Sequence, residues 1–219
     1  MSSNSVHWSL SVFIRIKVTF FVGCSEYTAL RIKHSEVQVM TFQAQQVTRV
    51  LHWLSALFII GLLGSGIYMA DGNDYALYDW HKAFGVIALL LVIIRLYHRK
   101  VNPWQSSAKG SQHEKYVQLM HQFLLTACVL MPISGLIYSG LGGFGVDVFG
   151  IEIIPHRYSE NGQVLAFNQA GSDIGKAIHY YLGYLMTALV LIHVAAALKH
   201  HFIDKDTTLS AMIKAKNTH

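Results

Sequence analysis

The chain has 219 residues, of which 53% are hydrophobic and only 13% charged, and this excludes an ordinary soluble domain, where about a quarter of residues carry charge. The formal charge of +5 does not point to a nucleic-acid partner, because the basic residues are dispersed beside apolar segments and form no stripe. Two cysteines, Cys24 and Cys128, with no CxxC pair exclude a disulfide framework and a thiolate zinc site.

In chain order, Leu10 to Gly23 is apolar enough to look like a signal peptide or a fifth span, but Arg15 and Lys17 interrupt it and no small-residue cleavage pattern follows. Met40 opens Met40-Thr41-Phe42-Gln43 and leads into the first long apolar stretch. The expected organisation is a native domain over residues 40–219, with residues 1–39 an N-terminal extension outside it; a membrane-surface anchor is the competing reading.

Four windows are long and apolar enough to cross the hydrocarbon: Val50 to Ala70, His81 to His98, His121 to Leu141, and Lys176 to Leu198. Turn-forming residues separate them, at Asp71-Gly72-Asn73-Asp74, Asn102-Pro103, Gly142-Gly143 and Asn161-Gly162. Basic residues flank alternate sides: Arg49, then Arg95, Arg99, Lys100, Lys109 and Lys115, then Lys199, Lys205, Lys214 and Lys216. The opposite loops carry Asp71, Asp74 and Asp79, and Asp147, Glu152, Glu160 and Asp173. The positive-inside rule therefore predicts an all-α integral membrane four-helix bundle with both termini cytoplasmic. Trp53, Trp80 and Trp104 near span ends read as interfacial belt residues.

Within the fourth window His179 and His193 stand fourteen residues apart, which on an α-helix is about 21 Å of rise and within about 40° of one face. His52 opens the first window from the cytoplasmic side and matches His193 in depth; His81 opens the second from the outer side and matches His179. A histidine in a membrane core is costly unless something binds it. Two opposed imidazoles at one level are what bis-histidine haem iron requires, and that iron has no open position, which favours electron transfer. With no C-x-x-C-H in the chain, the haem would be held noncovalently.

Gly61, Gly64, Gly66, Gly85, Gly135 and Gly183 suit either a flat macrocycle lying against backbone or close helix packing. His121, at the mouth of the third window, stands outside the quartet: it could replace His52, bind a propionate or a quinone, or sit at the interface. His98, His200 and His201 read as headgroup-facing. Arg49, Arg95 and Arg99 read as propionate partners or as snorkelling residues. His156, Arg157 and Lys176 are the cations of an otherwise acidic outer loop and could draw an anion inward.

Arg49-Val50-Leu51-His52-Trp53-Leu54, Asp79-Trp80-His81-Lys82-Ala83-Phe84-Gly85 and the run from Ile178-His179 through Ile192-His193 to Asp206 resemble the bacterial cytochrome b561 family, related to the cytochrome b subunit of nickel-iron hydrogenases. The resemblance covers roughly Thr41 to Ile213. It implies an inner-membrane four-helix bundle with two haems b held through His52, His81, His179 and His193, electron exchange with ubiquinone in some members, and superoxide oxidation in one branch. The expected function is electron transfer between an outer-face donor, superoxide included, and membrane ubiquinone, an oxidoreductase activity that needs no acid-base pair. The alternative is a cytochrome b subunit relaying electrons for a periplasmic redox partner. A histidine-lined metal transporter leaves the depth pairing unexplained.

Overall fold

The computed structural model describes residues 24–72, 75–103 and 114–213, with side chains from residue 43 onward except at position 208. The Leu10 to Gly23 stretch, Asn73, Asp74, Trp104, Lys109, Lys214 and Lys216 lie outside the described residues. The chain divides into two compact units, Met1–Thr41 and Phe42–His219, and every histidine from His52 to His201 belongs to the second.

The helices among the described residues are α1 (Cys24–Gly72), α2 (Tyr78–Val101), α3 (Glu114–Leu141), α4 (Gln169–Phe202) and the short α5 (Thr208–Ile213). Four segments are long and apolar enough to cross a membrane: Gln43–Gly72 of α1, and the whole of α2, α3 and α4. Helix is the conformation that satisfies each backbone group within its own segment, as a lipid environment demands. Large apolar side chains point outward, Leu57 being 68% and Leu191 65% exposed, while small ones such as Ala83, Ala88, Ala127 and Ser134 are buried. That pattern suits a chain whose outer contacts are with lipid and whose helices meet through small residues.

The helices overrun the windows read from hydropathy. Asp71-Gly72, expected as a turn, closes α1, and α4 begins seven residues before Lys176. Asn168 explains that start: its side-chain oxygen accepts the Gly171 N–H at 2.9 Å, capping the helix.

α3 and α4 make the closest helix pair. A Cβ at Gly175 would stand 2.8 Å from the Tyr138 backbone nitrogen, and Ser172 Oγ donates to Tyr138 O at 2.9 Å. Close packing thus falls on Gly175; Gly61, Gly64 and Gly85 face open space. Gly175→Ala is expected to cost about 1–3 kcal/mol, as overpacking of a tight contact does, and to lower the unfolding temperature in detergent. An unchanged melting temperature would contradict the contact.

The acidic loop between α3 and α4 folds into an antiparallel hairpin, β1 (Phe144–Val148) and β2 (Ile151–His156). Phe149 and Gly150 turn it with φ of 50° and 87°, the paired positive angles that match the twist of two-residue hairpins. The hairpin is fastened to α2: Phe149 packs on Trp80 at 5.8 Å and Phe84 at 5.7 Å, and Lys82 Nζ donates to the carbonyls of Phe144 and Gly145, each at 3.3 Å.

On β2, Glu152 accepts from the His156 backbone N–H at 2.9 Å, and its carboxylate lies 3.2 Å from the His156 ring; these hydrogen bonds hold its carboxyl below the usual carboxylate range. A depressed acid contributes above its unfolded pKa and is lost as pH falls through its folded one. Amide exchange in β2, corrected for intrinsic rates, is expected to loosen only below the ordinary carboxylate range, and Glu152→Gln to abolish that dependence. Loosening near neutral pH would contradict it.

At the opposite end, α5 lies against α1. Arg49 Nε donates to Ala211 O at 2.8 Å and Trp53 Nε1 to Met212 O at 3.0 Å, satisfying carbonyls that a helix end leaves open. Trp53 therefore does more than mark an interface. His200 is also drawn into this end, its Nδ1 lying 2.9 Å from Asp204 and 3.1 Å from Asp206.

Candidate functional site: paired histidines at two levels

At the hairpin end, α2 brings His81 and α4 brings His179 together, with ring centroids 6.1 Å apart and planes at 84°. Metal–imidazole bonds of about 2.0–2.1 Å place the centroids of two opposed rings about 6.3 Å apart. Both Nδ1 atoms meet acceptors: His81 lies 2.9 Å from Ser65 Oγ, and His179 lies 3.0 Å from Met131 O and 3.2 Å from Ser134 Oγ. With Nδ1 carrying the hydrogen, Nε2 keeps its lone pair for a metal.

The two rings border a cavity of about 360 Å³. Its depth is apolar, with Leu62, Leu63, Ile67, Val86 and Leu136, and Gly66, Gly85, Gly135 and Gly183 line it as well. Its polar wall carries Tyr78, Ser139, Lys82 and Lys176. The Lys82 side chain is only 7% exposed, bridges to Asp79 at 3.0 Å and lies 4.6 Å from the Tyr78 ring centre.

At the α5 end, α1 brings His52 to His193 of α4 at 6.4 Å with planes at 67°, again the spacing of two rings about one metal. His121 of α3 also reaches His193, at 5.3 Å, closer than that spacing allows. Hydrogen placement points the other way. His121 Nδ1 lies 2.7 Å from Val117 O, which fixes its hydrogen there, whereas His52 Nδ1 lies 2.8 Å from Arg95 Nη2, and a guanidinium can only donate. Spacing favours His52 and hydrogen placement favours His121; a ring hydrogen changes nitrogen more readily than a helix changes place.

The other residues singled out in the sequence are distributed as follows. Arg95 faces His52, and Arg49 serves α5. His98 turns toward α1, with Nδ1 3.4 Å from Thr48 Oγ1, rather than outward. His156 is engaged with Glu152 and lies 3.6 Å from Asp147, and Arg157 sits over the Phe167 ring at 5.6 Å, so of the three loop cations Lys176 is the one that lines the cavity. Sequence reasoning missed Lys82, although it follows His81 directly, and missed Ser65 and Ser134, whose signal is a serine beside a glycine inside an apolar span.

The residues at the hairpin end fit a haem: imidazoles 6.1 Å apart and a largely apolar cavity with glycines beside the rings and Lys82 and Lys176 in its lining; at the α5 end the 6.4 Å ring spacing is the feature that matches. Among the described residues no cluster of three or more histidine, cysteine and carboxylate side chains has the arrangement of a protein-only metal site.

A family model described as prokaryotic cytochrome b561 matches residues 44–215. The chain is 28% identical over 174 residues to cytochrome b561 homolog 2 of Escherichia coli (strain K12), spanning 76% of this chain and 89% of that protein. It is 26% identical over 170 residues to cytochrome b561 homolog 1 of the same organism, spanning 74% and 92%. It is also 26% identical over 172 residues to a Yersinia pestis protein named "Probable superoxide oxidase CybB", spanning 76% and 93%.

Proposed function

Because the chain belongs to the prokaryotic cytochrome b561 family, membrane cytochromes that bind haem b and transfer electrons, we propose that it is a dihaem cytochrome passing single electrons from an outer-face donor to membrane ubiquinone. The observation that carries this reading is the ring spacing of 6.1 Å and 6.4 Å in two histidine pairs from separate helices. Haem, when bound, would supply reversible one-electron chemistry. His81 and His179 hold one, His52 and His193 the other, and the fourteen residues between the two ligands of α4 set the levels about 21 Å apart along that helix.

In this reading the protein lies in a bacterial inner membrane, and the loop charges support both termini being cytoplasmic with the hairpin outside. Lys82 and Lys176 then present positive charge on the outer cavity's wall, where they attract an anionic donor or neutralise a haem carboxylate. Superoxide fits as donor: each anion gives up one electron and leaves as dioxygen, and two electrons with two protons convert ubiquinone to ubiquinol. A relative bearing the superoxide oxidase name supports that choice.

Detergent-purified protein is expected to show a b-type reduced-minus-oxidised spectrum with two haems per chain, and to reduce a soluble ubiquinone analogue when superoxide is generated. A single haem overturns the dihaem reading. Intact haems without quinone reduction overturn the donor and acceptor and favour a subunit that serves a redox partner.

A further inference from the structure

The two hairpin-end histidines are held by the same device on two different helices. Ser65 Oγ donates its one hydrogen to Leu62 O at 3.1 Å and faces His81 Nδ1 at 2.9 Å. Ser134 Oγ donates to Met131 O at 2.7 Å and faces His179 Nδ1 at 3.2 Å. A hydroxyl that gives its hydrogen to a carbonyl three residues back offers only lone pairs to a third group; that arrangement puts the imidazole hydrogen on Nδ1, as the Met131 carbonyl independently requires for His179. The next residue is glycine each time. A Cβ would stand 3.3 Å from His81 Cε1 at Gly66, and 3.0 Å from His179 Cε1 at Gly135.

In neither case does the serine helix bear the histidine it holds: α1 braces a residue of α2, and α3 braces a residue of α4. At the α5 end the nearest counterpart, Ser55, donates to Leu51 O at 2.6 Å, and His52 Nδ1 meets Arg95 instead.

We propose that Ser65-Gly66 and Ser134-Gly135 are matched positioning brackets that set the hydrogen and the ring plane of His81 and His179, so that this end of the protein presents two Nε2 lone pairs on rings whose planes are held near perpendicular. The proposal rests on the bis-histidine reading above. A ligand imidazole whose Nδ1–H is bonded to an acceptor is more basic, which favours oxidised iron and lowers its potential. The two brackets differ in one respect: His179 keeps Met131 O when Ser134 is lost, whereas the acceptor shown for His81 is the Ser65 hydroxyl itself.

The test uses the full chain, purified with its haems, and reads spectroelectrochemical titration, haem content and low-temperature electron paramagnetic resonance of the oxidised form. Perpendicular imidazole planes give a strongly anisotropic low-spin signal with a large principal g value. Ser65→Ala is expected to raise one midpoint potential, shift that signal and weaken retention of that haem about tenfold, the lower end of what losing a partner of a metal ligand does. Ser65→Thr, which keeps the hydroxyl, is expected to restore all three, and Ser134→Ala to move them less. Gly135→Ala is expected to displace the His179 ring and reduce content of the same haem. Potentials and signals of Ser65→Ala and Ser134→Ala identical to the parent's overturn the brackets and leave the ligands standing. A parent signal that persists unchanged in His81→Ala overturns the ligand reading instead.

Discussion

His81→Ala and His179→Ala are each expected to reduce the haem content of the purified protein from two per chain to one, and to remove the same spectral component. The reason is geometric. The two rings approach from different helices at 6.1 Å, so each would supply one of two bonds to a shared iron, and losing either would leave half the protein ligation. The surviving component would belong to His52 and His193, about four turns further along α4, and its midpoint potential should stay within a small shift of the parent's. Haem quantification beside the difference spectrum decides it: if the two variants lose different components, or both keep two haems, these histidines do not share an iron.

His52→Ala is expected to remove the other haem, while His121→Ala keeps two. Both rings contact His193, at 6.4 Å and 5.3 Å, and the longer distance is the one that leaves room for iron between nitrogens. Arg95, which donates to His52 Nδ1, must release that nitrogen when the opposite one binds metal, since a neutral imidazole carries its hydrogen on the uncoordinated side. Haem loss in His121→Ala with full content in His52→Ala would reverse the assignment and give α3 the ligand.

The four helices were legible because a membrane span announces itself by length and hydropathy, and the family resemblance was carried by the same segments. The histidine pairs could be written down as partners in depth because helical rise is fixed; which ring faces which depends on how helices rotate about their axes, and no single helix encodes that. The three-way meeting of His52, His121 and His193 shows this limit. Lys82 was invisible for another reason: its partners are carbonyls of Phe144 and Gly145, more than sixty residues away, and carbonyls carry no sequence signature. The hairpin was hidden in turn because its reversal places Phe149, a residue that seldom adopts positive φ, beside Gly150.

Beyond the hairpin the chain runs through a tight reversal, with Gly162 N–H bonded to Ser159 O and Gln163 O accepting from Ser159, before Phe167 and Asn168 return to Leu141 O. Residues 159 to 163 touch neither histidine level, whereas Phe144 and Gly145 are tied to the residue next to His81. Insertions at the tip should therefore be accommodated without loss of the metal-binding frame. A longer or shorter tip would then reshape this rim while the interior stays as it is.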